Sequence, residues 1–310
     1  MFAAVSTGVF DAVHEAPAAA AALAERFGLN AGALERLLDG CVGLGLLVKS
    51  EGQYRNTEAA SAYLRRDAPG TLAGYILYSD RALYPMWGNL EDALREGTPR
   101  WRQTFGLPGP LFASFFRTEE ALREFILGMH GLGSLSSPGV VKAFDLSRFE
   151  RLVDLGGATG HLAAAARREY PKLRVAVFDL PRVIEYAREF RGEAVELIAG
   201  DFFTGGLPPA DLYAAGRILH DWGDDKIDRL VKKVYEALPA GGGFLVCENL
   251  LDDDKTGPLP GAMQSINMLV CTEGRERSLR EYEAILRGAG FSSVEGRRTG
   301  TPLDAMLAIK

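Results

Sequence analysis

Two hydrophobic periods divide the chain. Up to about residue 150 the apolar positions recur at helical spacing, and from Leu152 onward short apolar runs alternate with helix-period stretches. Leu34, Leu37, Leu38, Cys41, Val42 and the run Leu44 to Leu47 follow the break Phe27-Gly28-Leu29-Asn30, which predicts two helices joined by a tight turn. Gln53 to Thr57 then reads as a short β-wing. Leu72, Tyr75, Ile76, Leu83, Trp87, Leu90 and Leu94, followed by Phe105, Phe112, Phe115, Phe116, Phe125 and Met129, predict further helices whose aromatics are mostly core, with some free to wall an apolar pocket. Gly131, Gly133, Pro138 and Gly139 punctuate that stretch and predict a hinge.

The second half begins with Leu152 to Gly160, an apolar run that carries Asp154 and ends in the turn Gly156-Gly157-Ala158-Thr159-Gly160. A second run, Val175 to Asp179, ends in an acid 19 positions after Gly160. Val195 to Ala199, Asp211 to Ala215, a helix from about Asp225 to Leu238, and Gly243 to Cys247 continue the alternation. That order predicts a parallel sheet with helices on both faces, which binds ligands at the carboxyl ends of its strands. Asp154, Asp179, Asp201, Arg217, His220 and Glu248 all fall at or just beyond those ends.

The glycine turn is not a dinucleotide fingerprint, because Ala158 and His161 stand where the second and third glycines of that frame belong. Asp154 would also repel a pyrophosphate, which wants bare amides and a helix N-terminus. A ligand with an ammonium group and a ribose suits Asp154 and Asp179 better, and S-adenosylmethionine has both. The plain alternative is a tight strand-to-helix connection with no ligand.

Composition narrows the partners. A chain of 310 residues, 47% apolar and 25% charged, is ordinary globular material, and a net charge of −6 disfavours nucleic acid and anionic membranes. Residues 1–66 hold six Lys or Arg against seven Asp or Glu, and the would-be recognition helix carries Glu35 and Asp39 against Arg36 alone, so its helix-turn-helix pattern does not suit duplex DNA. Cys41, Cys247 and Cys271 are widely spaced, with no metal-ligand spacing, and no metal is expected. With neither a leader-like start nor an 18-residue apolar run, the expectation is a cytoplasmic protein.

Six segments in register carry a family resemblance: Val177–Pro181, Gly200–Phe203, Ile218–Trp222, Ser265–Val270, Thr272–Arg277 and Asp304–Lys310. The chain resembles the acetylserotonin O-methyltransferase group of plant-type small-molecule O-methyltransferases. The resemblance implies an α/β, Rossmann-like class I methyltransferase sheet with an N-terminal winged-helix-like, mostly helical dimerisation domain. Residues 1–95 would form the latter and 96–310 the former, with 96–150 as helical cap and linker. It implies a homodimer that binds S-adenosylmethionine, leaves S-adenosylhomocysteine as product, and methylates a hydroxyl of a small aromatic molecule.

By the same resemblance His220 is the base, flanked by Glu276 and Glu248. Asp154, Gly156, Gly157, Gly160, Asp179, Leu180, Asp201, Phe202 and Arg217 would hold the cofactor, and Asn267, Met268 and Met129 the acceptor. The chemistry agrees at His220, since methylating a hydroxyl requires loss of its proton and imidazole is the usual base near neutrality. With a phenol-like pKa near 10 and an ordinary imidazole near 6.5, full prior deprotonation is uphill by about 5 kcal/mol, so proton and methyl transfer should be concerted. His14, His130 and His161 have no such context and read as structural. Ala158 replaces a glycine common in the family and would crowd the cofactor's methionine moiety. Relatives usually carry an extra helix before Met1, whose absence would open the acceptor pocket. A methyltransferase-like protein that binds the cofactor without transferring methyl is the alternative.

Overall fold

The computed structural model describes residues 1–106, 116–190 and 195–310, which form two compact units. Met1–Ala82 with Glu120–Leu132 make the first, and Leu83–Glu119 with Gly133–Lys310 the second. Phe112 and Phe115 lie outside the described residues.

In the first unit the helices Ala20–Phe27 and Ala31–Gly43 are joined where expected. Gly28 ends the first in the left-handed conformation at φ 65°, and the Asn30 side chain accepts from the Ala33 N–H at 2.9 Å to start the second. The wing is a three-stranded sheet in which β3 (Gln53–Asn56) lies between β1 (Ala18–Ala19) and β2 (Leu47–Ser50). Leu34, Leu38, Cys41, Leu47 and Tyr54 close its core with Val9, Phe10 and Val13. Lys49, on the wing, is held by Glu35 and Asp39, and Asp39 also accepts from the Tyr54 hydroxyl at 2.7 Å.

The stretch read as a hinge lies inside one helix, Glu119–Lys142, where the boundary between the two units falls at Leu132–Gly133, and the helix's glycines mark close approaches. A methyl on Gly128 would lie 3.1 Å from Tyr75 Cα, and one on Gly131 would lie 2.5 Å from the Thr71 carbonyl. On Gly139 it would meet Thr301 at 2.5 Å. Leu94, one of the apolar positions that predict these helices, is 67% exposed.

The second unit is built on a seven-stranded sheet in the order β6-β5-β4-β7-β8-β10-β9. β4 (Arg151–Leu155), β5 (Arg174–Asp179), β6 (Val195–Ala199), β7 (Leu212–Gly216) and β8 (Gly243–Glu248) are parallel. β10 (Asp304–Ile309) runs antiparallel to both β8 and β9 (Ser293–Arg297), so two strands not read from the sequence make the sheet mixed beyond its five parallel strands. Both faces are covered, which is why the strands read as continuous apolar runs. Leu152, Val175, Leu212 and Leu245 pack with Leu162 and Ala166 on one face; Val153, Ala176, Tyr213 and Phe244 pack with Ile227, Leu230 and Val234 on the other.

Alternation places Asp154 on the same buried side as Leu152. Its neighbours on the sheet then put Asp179, Gly216 and Glu248 at the same carboxyl edge, where order reverses between β4 and β7.

Candidate active site

The chain leaves β4 through a turn with three left-handed residues, Gly156 at φ 69°, Ala158 at 48° and Gly160 at 80°. Two of its glycines are there for a spatial reason as well. A methyl on Gly156 would strike Ile218 Cδ1 at 2.3 Å, and one on Gly157, whose φ is ordinary, would strike Asp154 Oδ2 at 2.5 Å. Ala158 is the exception, and holding an L-residue there costs roughly 1–2 kcal/mol. Its methyl therefore strains the backbone of the turn. The Ala158 N–H donates to Asp179 Oδ2 at 2.9 Å and the Leu180 N–H to Asp179 Oδ1 at 2.7 Å, so the acid at the end of β5 pins the turn.

Asp154 is 1% exposed, and its Oδ2 has no hydrogen-bond partner among the described residues. Burial, then the charge of Asp179, pushes its pKa up to about 8, and burial raises Asp179 to about 6. Across the turn Phe202 approaches Gly156, and Asp201 Oδ1 accepts from the Phe203 N–H at 2.7 Å. Arg217, just past β7, sits at φ 57° with its N–H donating to the Cys247 carbonyl, and its buried Nε is also unpartnered among the described residues. These orphaned groups, a carboxyl oxygen at the end of β4 and a guanidinium N–H just past β7, suit a zwitterionic amino-acid ligand.

Beyond Arg217 a single 3-10 turn, Leu219–Asp221, carries His220, which is 3% exposed. Its Nδ1 lies 2.7 Å from Glu276 Oε1 and 3.5 Å from Glu248 Oε2. The two acids divide the work. Glu248 Oε1 accepts from the N–H groups of Ile218, Leu219 and His220 at 3.1, 2.8 and 3.4 Å, so it holds the backbone of the turn, while Glu276 holds the ring. Glu276 is steadied by Asn249 at 3.3 Å. Burial alone would lower the His220 pKa, but Glu248, Glu276 and Asp221 outweigh it and raise it to about 10.

Two parts of this cluster were not legible. Asp221 Oδ1 lies 3.6 Å from His220 Nε2, and burial lifts its pKa to about 6 against the pull of His220 and Arg217. Its place beside His220 in the sequence was the available signal. Gly274 was the other: a methyl there would come within 2.2 Å of the His220 carbonyl. The missing side chain lets the loop that carries Glu276 lie directly on the turn.

His220 Nδ1 and oxygens of Glu248 and Glu276 fall within 4.8 Å of one another, close enough to share a cation. The proton on Nδ1 is such a cation. Asn267, on the helix Leu259–Cys271, accepts from Trp87 Nε1 at 2.9 Å, and Met268 beside it is buried. The same helix receives the Arg100 N–H at Val270 and the Trp101 indole at Cys271. Met129 is half-buried on the helix Glu119–Lys142, within the first unit.

With this geometry in hand, comparison with known proteins gives consistent results. The family model of the O-methyltransferase domain matches residues 87–292, and that of the O-methyltransferase dimerisation domain matches residues 1–66. Acetylserotonin O-methyltransferase of Bos taurus is 44% identical over 321 aligned residues, covering 100% of this chain and 93% of the relative. The crystal structure of human N-acetylserotonin methyltransferase in complex with SAM superposes with a TM-score of 0.96 at 41% identity, covering 100% of this chain and 92% of that one. PigF with SAH gives 0.90 at 31% identity, over 100% and 94%. The chain belongs to the O-methyltransferase family, with the class I methyltransferase fold and a helical N-terminal dimerisation domain.

Proposed function

We propose that the protein is an S-adenosylmethionine-dependent O-methyltransferase that methylates a hydroxyl of a small aromatic molecule, with His220 as general base. The observation that carries the reading is the buried His220–Glu276 pair at 2.7 Å, one β-strand away from an acid and a glycine turn built for a zwitterion. A protein that only bound the cofactor would have no use for an imidazole fixed between carboxylates.

S-Adenosylmethionine supplies an electrophilic methyl group on a sulfonium when bound. Asp154 takes the ammonium, Asp179 and Leu180 meet the ribose, and Asp201 and Phe202 the adenine; Gly156, Gly157 and Gly160 let the backbone come close, and Arg217 offers its N–H to the ligand. Asn267, Met268 and Met129 belong to the acceptor side. With the cofactor bound, methyl transfer to the hydroxyl oxygen would release S-adenosylhomocysteine, while His220 Nε2 would take the hydroxyl proton and Glu276 would hold the resulting imidazolium.

The basicity of His220 redistributes the barrier. Against a phenol near pKa 10, an imidazole near 10 makes the transfer itself almost level. Forming that neutral base at pH 7 then costs about 4 kcal/mol, so the total hardly changes. The gain lies in orientation and in an imidazolium that is stable beside the reacting oxygen.

The pairing module is the N-terminal part, set at residues 1–95, with 96–310 as the catalytic part and 96–150 as its cap. We place it in a homodimer and leave DNA aside, because Lys49 is already engaged by Glu35 and Asp39. A cytoplasmic location is supported by three buried, unpaired cysteines, and no described helix is long and apolar enough to cross a membrane.

Calorimetry with S-adenosylhomocysteine tests the cofactor half. Loss of a hydrogen-bonded charge is worth ~1.5–3 kcal/mol, so Asp179→Ala should weaken binding by about ten- to a hundredfold. Undiminished affinity in that variant would show that the ribose lies elsewhere. Methyl uptake from labelled cofactor by hydroxyindoles, catechols or flavonoids tests the acceptor half; tight cofactor binding with no methylated hydroxyl would return the non-catalytic alternative.

A further inference from the structure

His161, read from the sequence as structural only, is the first residue of the helix His161–Glu169 that the glycine turn feeds. Its Nδ1 lies 2.9 Å from the Ser137 hydroxyl, and that hydroxyl donates to the Gly133 carbonyl at 2.6 Å. A hydroxyl has one proton. With it given to Gly133, Ser137 accepts from the imidazole, so Nδ1 carries the hydrogen. The opposite edge of the ring rests on Gly133, where an added methyl would come within 2.2 Å of both Cε1 and Nε2. Gly133 and Ser137 are four residues apart on one helix face, and Ser137 is 3% exposed. The three residues thus form one contact between the Gly133–Lys142 stretch and the end of the turn.

The turn needs such a support. Three of its five residues are left-handed, one of them Ala158, and its near end is fixed by the Gly156 N–H on the Phe178 carbonyl at 2.8 Å. The far end is Gly160, and the side chain anchored immediately beyond it is that of His161. We infer that His161, with Ser137 and Gly133, is a positioning residue for cofactor binding: it latches the far end of the turn so that its amides, Asp154 and Asp179 are preorganised for S-adenosylmethionine. This rests on the reading of that turn as the cofactor site. The ring is not asked to touch the reacting atoms, so its effect falls on cofactor affinity and not on the chemical step.

Five variants test it: His161→Leu, His161→Asn, His161→Ala, Gly133→Ala and the double variant His161→Ala/Gly133→Ala. Each is titrated with S-adenosylhomocysteine, melted, and assayed at saturating cofactor. His161→Leu should weaken binding at least about tenfold and raise KM for the cofactor with kcat within about twofold, whereas His161→Asn, whose amide can donate to Ser137, should stay within about threefold of the parent. Gly133→Ala should lower Tm and affinity in the parent yet change neither further when His161 is already Ala, since the methyl then has room. Parental affinity in His161→Leu overturns the inference, as does an equal loss of affinity in the Leu and Asn variants, or a fall in Tm with affinity kept. A parent protein that fails to bind S-adenosylhomocysteine overturns the underlying cofactor reading, and the same titration shows it first.

Discussion

At the mouth of the glycine turn, Asp154 and Asp179 sit close enough for one to raise the proton affinity of the other, and neither is paired to a cation among the described residues. Past the end of the neighbouring strand β7, Glu248, Glu276 and Asp221 surround His220, which neutralises part of their charge from within. Both are buried acid clusters on one edge of one sheet. The first has no cationic partner among the described residues; the second carries its own. A buried charge left unpaired is costly, so the first cluster is built to bind and the second to stay fixed.

Breaking the second cluster should have the largest effect. His220→Gln removes the base while Asp154, Asp179 and Asp201 keep their places, so cofactor affinity should persist and kcat should fall by at least ~10²-fold. Near-parental turnover would sink the base assignment. Glu276→Gln should fall in the same direction but less far, because an orienting acid does not accept the proton itself. It should also move the pH profile. Carboxylates hold the His220 pKa up at about 10, so parental kcat should climb as pH rises above 7, and loss of one carboxylate should shift that climb toward lower pH. An unmoved profile would mean that Glu276 does not govern the ring.

The second cluster was partly legible and the first more fully, for a physical reason. Asp154, the glycine turn and Asp179 are local: strand period, turn chemistry and a spacing of 19 residues place them, and β4 beside β5 does the rest. The pairing of His220 with Glu276 joins residues 56 apart, and only the family resemblance brought them together. Nothing in the local pattern says that Gly274 is bare so that its loop can lie on the His220 turn, or that Glu248 spends one oxygen on three backbone N–H groups. Gly131, Gly133 and Gly139 showed only half of their role in the sequence, the unit boundary that falls at Leu132–Gly133. Read as a hinge, they are places where a continuous helix admits a neighbour, and a glycine's partner is invisible in sequence. The antiparallel β10 escaped because an apolar run does not disclose its direction.

The first cluster offers a gentler test, through pH. Burial and the Asp179 charge hold Asp154 near pKa 8, so at pH 6 to 7 its carboxyl is largely protonated before ligand arrives. An ammonium placed against it favours the ionised form and draws the pKa down, so binding must release a proton at any pH between the bound and free values. S-Adenosylhomocysteine should therefore bind more tightly as pH rises from 6 toward 7.5, by up to about tenfold per unit if the bound pKa lies well below that range. Titrations in buffers of different ionisation enthalpy should count up to one proton released, shared between Asp154 and Asp179 if the pair titrates as a unit. Asp154→Asn cannot release it, so the variant should bind more weakly at pH 7.5 and with a flatter pH profile. If affinity in the parent instead fell with rising pH, or the Asn variant kept the slope, the ammonium would have to sit on another group, and Asp154 would be a carboxyl kept neutral to hold the turn.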